Sequence, residues 1–163
     1  LSGMWGPVRA LTWITPSRLE MACKKMPEPY TTLADFWKDK ATQCVLDGFS
    51  PSSSKILLNV ASDEYAKSVD FKRLEQENVR VVKADFRDAV GTIHLKYGRG
   101  LLARFGITHD VDDLEGLKKF DLEGYRYDHE TTTEDLVVFK LSPQHEPATK
   151  NTTPSKKRKK SSS

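Results

Sequence analysis

From Ser62 to Lys67 the run Ser-Asp-Glu-Tyr-Ala-Lys sets a hydroxyl, two carboxylates, a phenol and an ammonium within six positions. A strand ending just before such a run and a helix starting in it present backbone N–H groups and polar side chains at one end of a sheet, a frequent place to hold an anion. Glu64 as general base, Tyr65 as proton donor and Lys67 as a cation would suit acid–base chemistry on an anionic substrate. The same residues also admit a plainer reading, with Ser62 an N-cap, Tyr65 core and Lys67 solvated.

A second group, Lys96-Tyr-Gly-Arg99-Gly-Leu-Leu-Ala-Arg104, is predicted at a strand-to-helix junction. Two or three cations there suit a phosphate, and Gly98 and Gly100 would let backbone approach it. Cations on a surface helix more often form only its solvated side. A third group, Lys156, Lys157, Arg158, Lys159 and Lys160, lies among serines and threonines and fits a nuclear-import signal read by an import receptor. Nonspecific polyanion binding or plain solubility would use the same residues.

Metal and cofactor motifs are weak. His94, His109, His129 and His145 stand 15, 20 and 16 positions apart, and Cys23 and Cys44 have no ligand-like spacing. The Gly98-Arg99-Gly100 core lacks the third glycine of a dinucleotide fingerprint, and the P-loop pattern is missing. No metal and no cofactor are expected.

The elements that must position these groups follow from periodicity. Leu33, Phe36, Trp37, Ala41, Cys44 and Val45 recur at helical spacing between a capping Thr31 or Thr32 and a terminating Gly48. Lys55 to Val60 reads as a short strand of the buried kind, Ser62 as the cap of a short helix, and Phe71 to Glu77 as another. Val79 to Phe86 and Thr92 to Lys96 are predicted as an antiparallel hairpin turning through Arg87 to Gly91. Gly98 to Gly106 reads as helix with Leu101, Leu102 and Phe105 inward and Arg99 and Arg104 outward. A short helix from Asp112 to near Phe120 and strands at Gly124 to Asp128 and Leu136 to Leu141 complete the pattern. The fold class predicted is α+β, a mixed or mainly antiparallel sheet with packed helices.

Composition places these elements in one unit. The 163 residues carry 26 Lys+Arg and 23 Asp+Glu, a net charge of +3, with 37% hydrophobic residues. The last 23 residues hold a net +5 and the remainder a net −2, so the folded part is not a basic protein and binds an anion only through a local cluster. Residues 1 to 141 are predicted as one domain and 142 to 163 as a disordered basic tail. No apolar run approaches the roughly 20 residues of a membrane span, and two isolated cysteines favour a reducing compartment. The expected location is cytoplasmic, with the basic run adding a nuclear address.

Leu1-Ser-Gly-Met-Trp-Gly-Pro-Val-Arg9, Pro16-Ser-Arg-Leu-Glu-Met21, Phe36-Trp37, Asn59-Val-Ala-Ser-Asp-Glu-Tyr65 with Lys67, Arg99-Gly100 with Arg104, and Glu123-Gly-Tyr125 occur in an order and spacing that resemble the YaaA peroxide-stress protein family. The resemblance covers nearly all of residues 1 to 141 and implies an α+β fold of unusual topology whose N-terminal part is missing here. It also implies a role in surviving hydrogen peroxide and limiting free iron, with duplex DNA held in a basic cleft. The family's motifs fall on Arg9, Arg18, Glu20, Ser62, Glu64, Tyr65, Lys67, Lys96, Arg99 and Glu123. Ala10, Thr12, Ser17 and Tyr97 depart from its pattern, replacing a proline, an aspartate, a tyrosine and a lysine. The expectation is a DNA-binding protein of the peroxide response in which Arg9, Arg18, Ser62, Lys67, Lys96 and Arg99 meet phosphates. The alternative is an enzyme for a nucleotide or small anion using Glu64, Tyr65 and Glu123.

Overall fold

The computed structural model describes residues 1–50, 55–88 and 91–142. The predicted basic tail, apart from Ser142, and its run at 156–160 lie outside them. Helix α1 (Leu33–Asp47) starts where Thr32 and Asp35 form a capping box. The Thr32 hydroxyl accepts from the Asp35 N–H at 3.1 Å and the Asp35 carboxylate accepts from the Thr32 N–H at 2.9 Å, so two amide donors of the first turn are satisfied. After α1 come β1 (Ile56–Asn59), α2 (Asp63–Ala66), α3 (Phe71–Gln76) and β2 (Arg80–Arg87). Then follow α4 (Gly91–Thr108), α5 (Leu114–Leu117), β3 (Asp121–Leu122), β4 (Tyr125–Tyr127) and β5 (Leu136–Leu141).

The five strands form one mixed sheet in the order β1-β2-β5-β4-β3. β2 pairs in parallel with β1 on one side and β5 on the other, whereas β4 pairs antiparallel with β5 and β3. Alternation along β2 divides the core. Val82, Ala84 and Phe86 meet Val137 and Phe139 of β5 beneath Leu102 and Phe105 of α4, with Leu117 and Phe120 closing the cluster. Val81 and Leu57 point the other way, toward Ala41, Leu74 and Val79 between α1 and α3. The Phe86 ring stacks on Phe139 at 5.3 Å and meets Tyr125 edge-on at 5.1 Å, so this aromatic cluster joins the parallel and antiparallel parts of the sheet.

The predicted hairpin does not form. Residues 91–108 make one helix, and both neighbours of β2 are parallel. The β-branched residues around Thr92 suggested a strand, but Leu95, Gly98, Leu102 and Phe105 fall on one side of a helix and pack on the sheet, and packing overrides local propensity. Gly98 is required there, because a Cβ would stand 2.7 Å from the Phe86 ring. β1 also departs from expectation: its four residues are only half-buried because the strand lies at the sheet's edge. Ser62 stands at the N-cap of α2 without a side-chain capping bond.

Residues 1–30 contribute turns and a single isolated bridge between Ser2 and Gly6. Gly6, at φ +68°, brings the chain so close to Trp37 that a Cβ would fall 2.5 Å from the ring. The Trp37 indole N–H donates to the Gly3 carbonyl at 2.9 Å, and Met21 is fully buried against Leu33 and Ala34. Leu11 and Trp13, by contrast, are 95% and 98% exposed.

Candidate functional site

The three parallel strands share a direction, so β1, β2 and β5 end at one edge of the sheet, the edge at which open α/β sheets hold ligands. There β1 leads through Val60 and Ala61 into α2. The Asn59 side chain accepts from the Ala61 N–H at 3.0 Å and shapes that connection. At the N-terminus of α2, Asp63 accepts a hydrogen bond from the Lys83 ammonium of β2 at 2.9 Å. This bond holds the Asp63 carboxyl below the usual carboxylate range, and the charges of Arg99 and Lys67 act in the same direction. One carboxylate thus sits within the field of three cations, Lys67 just after α2, Lys83 from β2 and Arg99 from α4.

A cleft of about 610 Å³ opens beside this cluster. Its walls include Lys38 and Asp35 from α1, Asn59, Asp63 and Lys67 around α2, and Lys83 from β2. Asp35 is held in the same electrostatic sense, its carboxyl lowered first by the Thr31 hydroxyl and then by Thr32. Both walls therefore keep their carboxylates ionised, and the cleft presents three lysines set against two aspartates already engaged in hydrogen bonds.

Of the sequence candidates, Lys67 and Arg99 are near enough for their charges to act on Asp63, with Ser62 at the neighbouring N-cap. Arg99 does not turn away as expected. It is half-buried, and its Nε is buried with no hydrogen-bond partner. Lys96 is exposed one turn earlier, within the continuous α4 rather than at a strand-to-helix junction. A Cβ at Gly100 would point into open space, and Gly98 serves the Phe86 contact. Arg9 and Arg18 are exposed on the N-terminal segment.

The acid and base candidates do not converge. The Glu64 carboxylate accepts from the Ala22 N–H at 3.0 Å and so ties the N-terminal segment to α2. Tyr65 is half-buried against the Met21, Leu33 and Ala34 cluster, as the plainer reading of this run had it. Glu123, at φ +52°, occupies the β3–β4 turn. Pairing of Tyr125 with Leu141 brings that turn to the same end of the sheet as α2, but β4 is three strands from β1, about 14 Å at ordinary strand spacing.

Lys83, Lys38 and Asp63 were not among the sequence candidates. The signal for Lys83 is present in β2, where Lys83, Asp85 and Arg87 alternate with Val82, Ala84 and Phe86 and so share one side of the strand. Asp85 pairs with Arg87 at 3.4 Å, and next to them Lys140 of β5 pairs with Asp128 at 2.8 Å. The polar side of the sheet thus continues from the cleft across two strands. Among the described residues no three His, Cys, Asp or Glu side chains gather as a metal-binding group, and no helix is long and apolar enough to cross a membrane.

Comparison with known proteins places this geometry. A family profile described as peroxide stress protein YaaA matches residues 1–131. A UPF0246 protein of Bordetella petrii is 37% identical over 143 residues, covering 86% of this chain and 56% of that protein. A UPF0246 protein of Bordetella pertussis is 35% identical with the same coverage, and one of Clostridium botulinum is 32% identical over 147 residues, 86% of this chain and 57% of its own. The chain spans a little over half the length of these curated relatives. A mixed α+β sheet that carries the Asn59 to Lys67 motif at the ends of its parallel strands, together with a profile match over most of the sequence, shows that the chain belongs to the peroxide stress protein YaaA family.

Proposed function

We propose that this chain acts in the response to hydrogen peroxide by binding duplex DNA through backbone phosphates at the cleft beside α2. The observation that carries the reading is that Lys83 donates a hydrogen bond to Asp63 while the charges of Arg99 and Lys67 also act on that carboxylate. A phosphate oxygen offers these cations the same acceptor chemistry as the Asp63 carboxylate and competes for them. Ser62, and Lys96, Arg9 and Arg18 from the flanking surfaces, supply further phosphate contacts. Cations that neutralise phosphates release the metal counterions condensed on DNA. Ferrous iron is one such counterion, so occupation of the duplex limits iron-driven oxidation at the DNA itself. The basic run Lys156, Lys157, Arg158, Lys159 and Lys160 engages a nuclear-import receptor and adds a nuclear address to a cytoplasmic protein.

The test is fluorescence anisotropy with a labelled duplex over a salt series, comparing residues 1–163 with Lys67→Ala and Arg99→Ala and leaving the tail unchanged in each variant. Each substitution should flatten the slope of log affinity against log salt by about 0.9 per lost contact. Slopes identical to that of the parent would remove the cleft as the DNA site.

A further inference from the structure

The edge of the sheet at β1 is chemically unfinished. The Arg80 N–H donates to the Lys55 carbonyl at 2.8 Å, and the parallel register continues through Leu57 with Val81 and Asn59 with Lys83. Because main-chain groups alternate in direction along a strand, Lys55, Leu57 and Asn59 aim theirs at β2, and Ile56 and Leu58 aim theirs outward. No strand among the described residues receives them. Exposed edges in stable proteins are ordinarily guarded by a charge, a proline or a bulge. Ile56-Leu-Leu-Asn-Val-Ala61 contains no charged residue and no proline, and the nearest cation, Lys55, extends instead to the Glu77 carbonyl at 3.2 Å.

An apolar pocket of about 400 Å³ lies along this edge, with Val45, Leu57, Leu58, Val60, Tyr65 and Phe71 among its walls. Leu1 is a wall of the same pocket, so polypeptide joined ahead of Leu1 would emerge beside β1. Ile56 and Leu58 pack on the α4 side of the sheet and Leu57 on the α1 side, yet all three remain half-buried. Parallel strands with apolar residues on both sides are normally covered on both. The curated relatives carry more than two fifths of their length outside the matched portion.

From these observations we infer that the free edge of β1 and its pocket seat a β-strand, apolar on both sides, supplied by the part of the YaaA-family polypeptide that this chain does not match. The strand pairs with the outward groups of Ile56 and Leu58, and its side chains fill the pocket between Leu1, Val45 and Phe71. This inference concerns completion of the sheet and is independent of what the cleft binds.

The experiment mixes residues 1–163 with the unmatched portion of the Bordetella petrii relative, expressed as a separate chain, and follows sedimentation and amide hydrogen exchange. A hybrid carrying the same portion ahead of Leu1 gives the exchange readout within one molecule. The expected result is a one-to-one complex in which the Ile56 and Leu58 amides slow by about a hundredfold. Leu58→Pro, which removes the outward N–H at an edge position that tolerates proline, should abolish the complex, whereas Leu58→Ala should keep it. Failure to associate, with unchanged exchange of these two amides in the hybrid, would overturn the inference. So would self-association of residues 1–163 that protects the same amides, because the occupant would then be a second copy.

Discussion

Asp63→Asn is expected to tighten duplex binding while leaving the fold nearly as stable. In the structure the carboxylate takes a 2.9 Å bond from Lys83, but its side chain is 81% exposed and that of Lys83 44% exposed, so the pair is a surface ion pair worth about 0.2–1 kcal/mol. A bound phosphate would lie near the position of this carboxylate. Two unit charges about 4 Å apart in water-like surroundings interact by about 1 kcal/mol, so removing the repulsion should improve affinity about fivefold. The screening length at physiological salt, about 8 Å, is too long to erase an effect at that range. The freed Lys83 adds a phosphate contact and steepens the salt slope by about 0.9. Anisotropy titrations between about 50 and 200 mM salt read both quantities. The double variant Asp63→Asn with Lys83→Ala supplies the internal check, since Lys83→Ala should weaken binding more when combined with Asp63→Asn than it does in the parent. Binding that is unchanged or weaker in Asp63→Asn, with an unaltered slope, would refute the idea that Asp63 and phosphate compete for one set of cations.

Two further predictions address the frame around the cleft. Gly98→Ala gains up to about 1 kcal/mol of helix propensity but drives a Cβ to 2.7 Å from the Phe86 ring, which Phe139 and Tyr125 hold in place. Overpacking of about 1–3 kcal/mol should leave a net loss in urea unfolding, and a variant as stable as the parent would contradict this contact. Thr32→Ala removes half of the capping box and should cost about 0.5–2 kcal/mol near neutral pH. The hydroxyls of Thr31 and Thr32 lower the Asp35 carboxyl, so their stabilisation is fully present above its ordinary value and is lost as pH falls through the lowered folded value. Urea unfolding of parent and variant should therefore differ less as the solution is acidified below that point, with the bond from the Asp35 N–H to the Thr32 hydroxyl keeping a residual gap, and a gap that does not change with pH would contradict the assignment.

What the sequence made legible was whatever depended on short-range pattern. Thr32, the helical spacing from Leu33 to Val45 and Gly48 marked α1 almost to the residue, and the apolar runs at Lys55 to Val60 and Leu136 to Leu141 marked β1 and β5. The residues around Thr92 misled because β propensity is local, whereas what fixes them as helix is a surface formed by β2 and β5, more than forty residues apart in sequence. At the site, Lys67 and Arg99 were legible as cations, and the run around Ser62 showed where a strand becomes a helix. Lys83 was not recognised, because its importance comes from parallel pairing that brings β2 beside α2. Glu64 was read as chemical, yet its carboxylate anchors Ala22, a partner 42 positions away that no spacing rule could supply.

The strand order carries a consequence for how the molecule is made. β5, bonded to both β2 and β4, joins the two parts of the sheet, yet it is the last strand among the described residues. During synthesis β1, α2, α3 and β2 can assemble early, but the long-range pairing that joins β2 to β4 waits until Leu141 has emerged. Through that interval one edge of β2 stands open beside Val82, Ala84 and Phe86, without Val137 and Phe139 to cover them. The vulnerable period in the assembly of this sheet is therefore the interval before β5 emerges, and a chain that stops before Leu136 would leave two unjoined pieces rather than a smaller sheet.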